Sequence, residues 1–160
     1  MTKTNAARIL DKLGIKYELI AYKVDESDLS ASAVAAKLGQ NIEQVFKTLV
    51  LRGDKTGLFV CVIPGGEELD LKKAAQSSGN KNAAMVPVKE ILGLTGYIRG
   101  GCSPLGMKKK YPTYIDESCI LYNFIFISAG IRGLQIKITP NELIVSSSCN
   151  ISDLVLLINH

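Results

Sequence analysis

Val45-Phe46-Lys47-Thr48-Leu49-Val50-Leu51 is an apolar run rich in β-formers, with a lysine inside it. Side chains alternate faces along a strand, so Lys47 shares a face with Val45, Leu49 and Leu51. Phe46, Thr48 and Val50 fill the other face. With neither face polar, the run reads as a central strand carrying an ammonium group toward the interior. Desolvating an unpaired ammonium costs several kcal/mol, roughly. A cavity that receives an oxygen-rich ligand would offset this cost, and so would a buried ion pair. A lysine snorkelling from a strand end would avoid it.

Outward from this run, Gly53-Asp54-Lys55-Thr56 joins it to a second strand-like stretch at 57–63, the pattern of a hairpin. Ala6, Ile9, Leu10 and Leu13 recur at helical spacing after a Thr4 N-cap, and Gly14 can stop that helix. A short strand is expected at 17–22, then a helix from Ser30 or Ser32 to Gly39. Asp70 and Pro87 open two more helices. Glycines and Pro104 make 97–110 a loop. Strands follow at 113–115, 121–128 and 134–138, the last in half-buried alternation. Thr139-Pro140-Asn141-Glu142 has a cap, a first-position proline and an acid at the third position, which predicts a helix. A closing helix is expected over 152–158. Helices and strands mix without βαβ alternation. The expected fold is one α+β domain over residues 1–160, with a mixed, partly closed, barrel-like sheet surrounded by helices.

The chain has 160 residues, 47% hydrophobic and 21% charged, enough for one substantial core and unlike a disordered segment. No apolar run is long enough to span a bilayer, and the N-terminus lacks the apolar stretch of a signal peptide. Cys61, Cys102, Cys119 and Cys149 are scattered. Cys61 and Cys119 read as core residues, no metal or cofactor site is indicated, and a reduced, cytoplasmic setting is expected. A net charge of +4 permits a polyanionic partner. The only histidine is His160, at the terminus, so histidine-based triads are effectively excluded.

Gly100-Gly101-Cys102-Ser103-Pro104-Leu105-Gly106 brings adjacent glycines whose N–H groups can approach a phosphate or an oxyanion; a tight turn is the plain alternative. Without a histidine base, Cys102 and Ser103 are poor nucleophiles. Lys108, Lys109 and Lys110, with Arg99, can follow a nucleic-acid backbone or form a solvated surface. Ser128-Ala129-Gly130-Ile131-Arg132-Gly133 offers a hydroxyl and a planar cation beside glycines, or simply a turn between strands. Tyr22 supplies a hydroxyl and an aromatic wall, or a core tyrosine.

The ordered set Val45-Phe46-Lys47-Thr48-Leu49, Leu69-Asp70-Leu71-Lys72-Lys73, Gly96-Tyr97, Gly100-Gly101 with Ser103-Pro104-Leu105-Gly106, Lys108-Lys109, and Ser128 with Gly130 and Arg132-Gly133-Leu134 resembles the YbaK/EbsC family of trans-editing aminoacyl-tRNA deacylases. The subgroup it is most similar to acts on Cys-tRNA(Pro) and is akin to the editing domain of bacterial prolyl-tRNA synthetases. The resemblance implies an enzyme that removes cysteine from tRNA, with the substrate's own thiol attacking the ester. Lys47 would position the 3′-terminal region. Tyr22, Thr48, Gly100, Gly101, Ser128, Gly130 and Arg132 would bind substrate, and Arg99 and Lys108 to Lys110 would contact tRNA. Prolyl-tRNA synthetase is implied as a transient partner, and no cofactor is implied. Two features depart from the pattern. Gln135 stands where many members of the subgroup carry an acid, and the 25–32 segment lacks an expected phenylalanine. Three other functions stand beside this one. One is a deacylase for alanine or serine, which needs water as nucleophile. Another is a non-catalytic tRNA-binding module, disfavoured by few aromatics (6%). The third is a metabolic enzyme for a small amino-acid derivative.

Overall fold

A strand with two apolar faces needs cover on both, and β2 (Phe46–Gly53) has it. A computed structural model describes residues 3–157. β2 forms a hairpin with β3 (Gly57–Pro64), in register from Phe46 opposite Pro64 to Gly53 opposite Gly57. Phe46, Val60 and Val62 belong to one apolar cluster with Ile127 and Ile136. Leu51, Phe59, Cys61 and Ile63 belong to another, with Leu49 packed against it. The two faces of one hairpin thus nucleate two cores. Burying each such side chain contributes about 1.5–3 kcal/mol.

The remaining elements follow the local signals. In α1 (Asn5–Lys12), the Thr4 hydroxyl accepts from the Ala7 N–H. β1 (Glu18–Ala21) leads to α2 (Ala31–Leu38), capped by Ser30 and ended by Gly39 in the left-handed region. Asp70 accepts from two N–H groups at the start of α3 (Leu71–Ser78). β4 (Ala83–Met85) and α4 (Val88–Thr95) come next, with Pro87 as N-cap. They are followed by β5 (Thr113–Asp116), β6 (Ile125–Ser128) and β7 (Leu134–Ile138). α5 (Pro140–Ser147) carries the Thr139 cap, 3.2 Å from the Glu142 N–H, and β8 (Asn150–Ser152) closes the order.

Three expectations are corrected. The α+β class holds, but the strands form two open sheets rather than one barrel-like sheet. Their orders are β1-β7-β6 and β4-β2-β3-β5-β8. A single bridge, Val45 to Phe126, links the sheets. At this junction the Val45 N–H donates to Ile42 and its carbonyl accepts from Gly65. Second, 152–157 is not helical. The Leu154 N–H donates to Asp116, its carbonyl accepts from Asp70, and the Leu156 N–H donates to Glu68. Partners distant in sequence take the groups a helix would use, and Leu154 is fully buried. Ile158 and His160 lie outside the described residues. Third, the strand expected at 121–128 begins only at Ile125, because Asp116 caps a 3₁₀ turn over Glu117–Leu121. No helix among the described residues is long and apolar enough to cross a membrane.

Candidate active site

The parting of the two sheets leaves one edge of β2 uncovered. Along its other edge β2 pairs with β3 throughout. On the open side Val45, the residue before it, bridges to β6, and β2 pairs with β4 only from Leu51 to Gly53. Between these points, Phe46, Lys47, Thr48 and Leu49 border a cavity of about 480 Å³. Ser128 and Gln135, directly opposite each other across β6 and β7, also line it. Leu29, Ser30 and Val34 come from the start of α2, and Met85, Val86 and Ile91 from β4 and α4. The glycine loop supplies Arg99, Gly100 and Cys102.

Lys47 is half-buried, with no hydrogen bond and no ion pair within 4.0 Å among the described residues. The buried ion pair considered from sequence is therefore not formed, and Lys47 is one of the residues lining the cavity. Burial pulls its pKa below the ordinary lysine value, while the charges of Glu68 and Glu67 push it back up. Two residues of the lining, Thr48 and Gln135, each hold a buried side-chain oxygen (Oγ1 and Oε1) without a hydrogen-bond partner among the described residues. Lys47 and Arg99 are the charged residues of the lining, which contains no carboxylate.

The sequence candidates divide between lining and frame. Lys47, Thr48, Arg99, Gly100 and Ser128 line the cavity; Ser128 is 8% exposed and its hydroxyl accepts from the Gly130 N–H. Tyr22 packs instead against the cluster of Val34, Ala35, Val45 and Phe126. The Gly101 N–H is used internally, donating to Ile98. A Cβ on Gly101 would come within 3.2 Å of the backbone at Ile131 and Arg132, so glycine there lets two loops touch. Gly130, at φ +107°, lies against the Tyr97 ring. Arg132 ties the frame together, donating to the Arg99 carbonyl at 2.8 Å and to Glu26 at 2.6 Å. Lys108, Lys109 and Lys110 are exposed; Lys108 reaches the Gly93 carbonyl and Lys110 the Ser148 hydroxyl.

Sequence reasoning missed the apolar wall from α2, β4 and α4. Such residues follow ordinary helical and strand patterns, so nothing distinguishes a cavity wall from a core. Gln135 was visible only as a departure. Its place in an alternating strand indicated a solvent face, yet it is 5% exposed. A larger but shallower concavity, about 820 Å³, runs over β1 and β7 beside Lys16, Tyr17 and Lys137. None of the unpartnered buried atoms borders it.

Cys102 is the one thiol at the cavity. Burial pushes its pKa up to about 11, against a smaller opposing hydrogen bond from Thr95. A thiol so held is protonated at neutral pH and is a poor nucleophile. We expect alkylation of Cys102 to be slow at pH 7.5 and to speed up about tenfold per pH unit toward pH 11. Peptide mapping after iodoacetamide treatment measures this; fast labelling at neutral pH would contradict it.

The two sheets of this α+β fold part around a cavity lined by Lys47, Thr48 and Gln135. Residues 26–145 match the aminoacyl-tRNA editing domain, and the chain belongs to that family. It is 49% identical over 142 residues to the candidate Cys-tRNA(Pro)/Cys-tRNA(Cys) deacylase EbsC of Enterococcus faecalis, covering 89% of this chain and 87% of that one. It is 30% identical over 119 residues to the uncharacterized protein YwhH of Bacillus subtilis, covering 74% and 75% of the two chains. The crystal structure of a candidate trans-editing enzyme for prolyl-tRNA synthetase superposes with a TM-score of 0.83 at 26% identity, covering 98% of this chain and all of that one. The hypothetical protein APE2540 shares the fold, with a TM-score of 0.87 at 20% identity over 96% and 100% of the chains.

Proposed function

We propose that the chain acts as a single editing domain that removes mischarged cysteine from Cys-tRNA(Pro). The observation carrying this reading is Lys47, unpaired among the described residues, in the lining of a cavity whose only thiol is held protonated. Such a site can orient an ester and stabilise developing negative charge, but it offers no activated protein nucleophile. Cysteine brings its own. In the proposed step the substrate sulfur loses its proton and attacks its own ester carbonyl carbon. The carbon–oxygen bond to the terminal ribose breaks, and the ribose oxygen takes up a proton. The products are uncharged tRNA and a four-membered cyclic thioester, and water is not consumed in this step.

Lys47 is proposed to hold the 3′-terminal nucleotide and the ester in register, with Thr48, Gly100 and Ser128 around the aminoacyl group. Tyr22, Gly101, Gly130 and Arg132 are proposed to serve the same pocket from its frame. Arg99, Lys108, Lys109 and Lys110 are proposed to meet tRNA phosphates, a role suited to exposed cations. Selection of tRNA(Pro) is assigned to a transient complex with prolyl-tRNA synthetase in the cytoplasm, supported by the relatives' names and the fold match. The purified protein, with synthetase present, is expected to release cysteine from Cys-tRNA(Pro) while leaving Pro-tRNA(Pro) charged. Intact Cys-tRNA(Pro) after prolonged incubation would overturn the reading.

A further inference from the structure

Beside the cavity, α4 carries an apolar stripe that the fold leaves exposed. Val88 and Leu92 stand four residues apart, so their side chains are neighbours on one face of the helix. Val88 is 58% exposed and Leu92 54%, and Met85 at the end of β4 is exposed as well. Met85 and Val88 line the cavity, and Leu92, one turn further along, does not. The stripe thus starts at the cavity and leads away from it. The same edge offers backbone hydrogen bonds. β4 is the outermost strand of its sheet. Alongside it, the Val86 N–H donates to Val50 and the Asp54 N–H donates to Asn82. Backbone groups alternate in direction along an antiparallel strand, so those of Met85 face away from β2, toward the open edge.

Cations collect at the far end of the stripe. The Lys108 ammonium donates at 3.3 Å to the carbonyl of Gly93, the residue after Leu92. Lys109 and Lys110 follow it in the chain, both exposed. Glu90, the acid of α4, is engaged by Arg52 at 3.1 Å. Apolar side chains, a free N–H and C=O, and adjoining cations match the three parts of a nucleotide: ring face, base edge and phosphate. A protein strand added to this edge would match less well, because β4 is only three residues long. We infer that Met85, Val88 and Leu92 form a platform for the unpaired tRNA base next to the terminal nucleotide, with Lys108 meeting its phosphate. This rests on the deacylase reading, which puts the terminal nucleotide at Lys47. Every base has an apolar face, so the platform grips the acceptor end without reading its sequence. It does so with aliphatic side chains in a chain that has few aromatics.

The test uses three substrates without synthetase: Cys-tRNA(Pro), the same molecule with an abasic residue at the penultimate position, and 3′-O-cysteinyl adenosine. The abasic substrate keeps every phosphate and lacks one base. Wild type is expected to cleave it about fivefold less efficiently than the natural substrate, through KM, the low end for one stacked base because the platform is aliphatic. Leu92→Gln should lose most of that factor on the natural substrate, and the two losses should not multiply. On cysteinyl adenosine, which has no second base, the loss should be absent. Equal cleavage of the natural and abasic substrates by wild type overturns the assignment, and this comparison needs no variant. Losses that multiply overturn it as well. So does an effect of Leu92→Gln seen only when prolyl-tRNA synthetase is added, which would mean that a protein sits on the stripe. A wild type inert on all three substrates sinks the deacylase reading, and binding of uncharged tRNA(Pro) then decides the platform. About fivefold weaker binding by Leu92→Gln would keep it, and binding equal to wild type would overturn it.

Discussion

Replacing Lys47 with methionine is expected to cut deacylation about 10²–10³-fold, the scale of losing one preorganised charge-stabilising donor. The protein itself should melt at the same temperature as wild type or above it. The two halves of this result have one cause. Lys47 lies half-buried on a strand between two apolar clusters, with no partner in hydrogen-bonding or ion-pairing range among the described residues. Desolvation makes its charge a burden to the fold. Methionine fills similar space without that burden. A residue kept for structure would behave oppositely, losing stability and activity together. Lys47→Arg keeps the charge but replaces a compact point donor with a planar fork. Partial substrate binding with a larger loss in kcat is expected there. Melting curves and single-turnover deacylation on the three proteins separate these outcomes. Wild-type turnover by Lys47→Met would remove the lysine from the mechanism.

What was legible in the sequence follows from how local the physics is. The caps at Thr4, Ser30, Asp70 and Thr139 act within a few residues, and each stands at the helix start it announces. The two-faced apolar run predicted a central strand, and β2 is flanked by β3 and β4. The sheet partition was hidden because it depends on one bridge between residues 45 and 126. The missing closing helix has the same origin: Asp116, Asp70 and Glu68 claim the backbone of the 154–156 segment from far away in the chain. At the site, anomalies were readable and ordinary residues were not. Lys47 stood out because a cation violates its strand's pattern. Val34, Met85 and Ile91 obey theirs, so their place at the cavity was invisible. Gln135 obeyed the alternation as well, and only the packing of α2 over that face of the small sheet removes it from solvent.

The second large effect lies in the substrate. Exchanging cysteine for serine on the same tRNA should slow cleavage about 100-fold or more. The two side chains are nearly the same size, so both fit a 480 Å³ cavity. They differ in the nucleophile. A cysteine thiol is a few per cent thiolate near pH 7, roughly, and intrinsically reactive, whereas a serine hydroxyl needs a base. The sole histidine of the chain is its last residue, and Cys102 is held protonated. An intramolecular thiol also gains the advantage of proximity, which no free water shares. A water-using deacylase would treat the two esters alike. The most direct measurement is therefore parallel deacylation of Cys-tRNA(Pro) and Ser-tRNA(Pro) in ¹⁸O-labelled water, with the first-formed product trapped and weighed. Fast cleavage of the cysteinyl ester to an unlabelled cyclic thioester is expected, with little cleavage of the seryl ester. Comparable rates, with ¹⁸O in the amino acid first released from both, would contradict it.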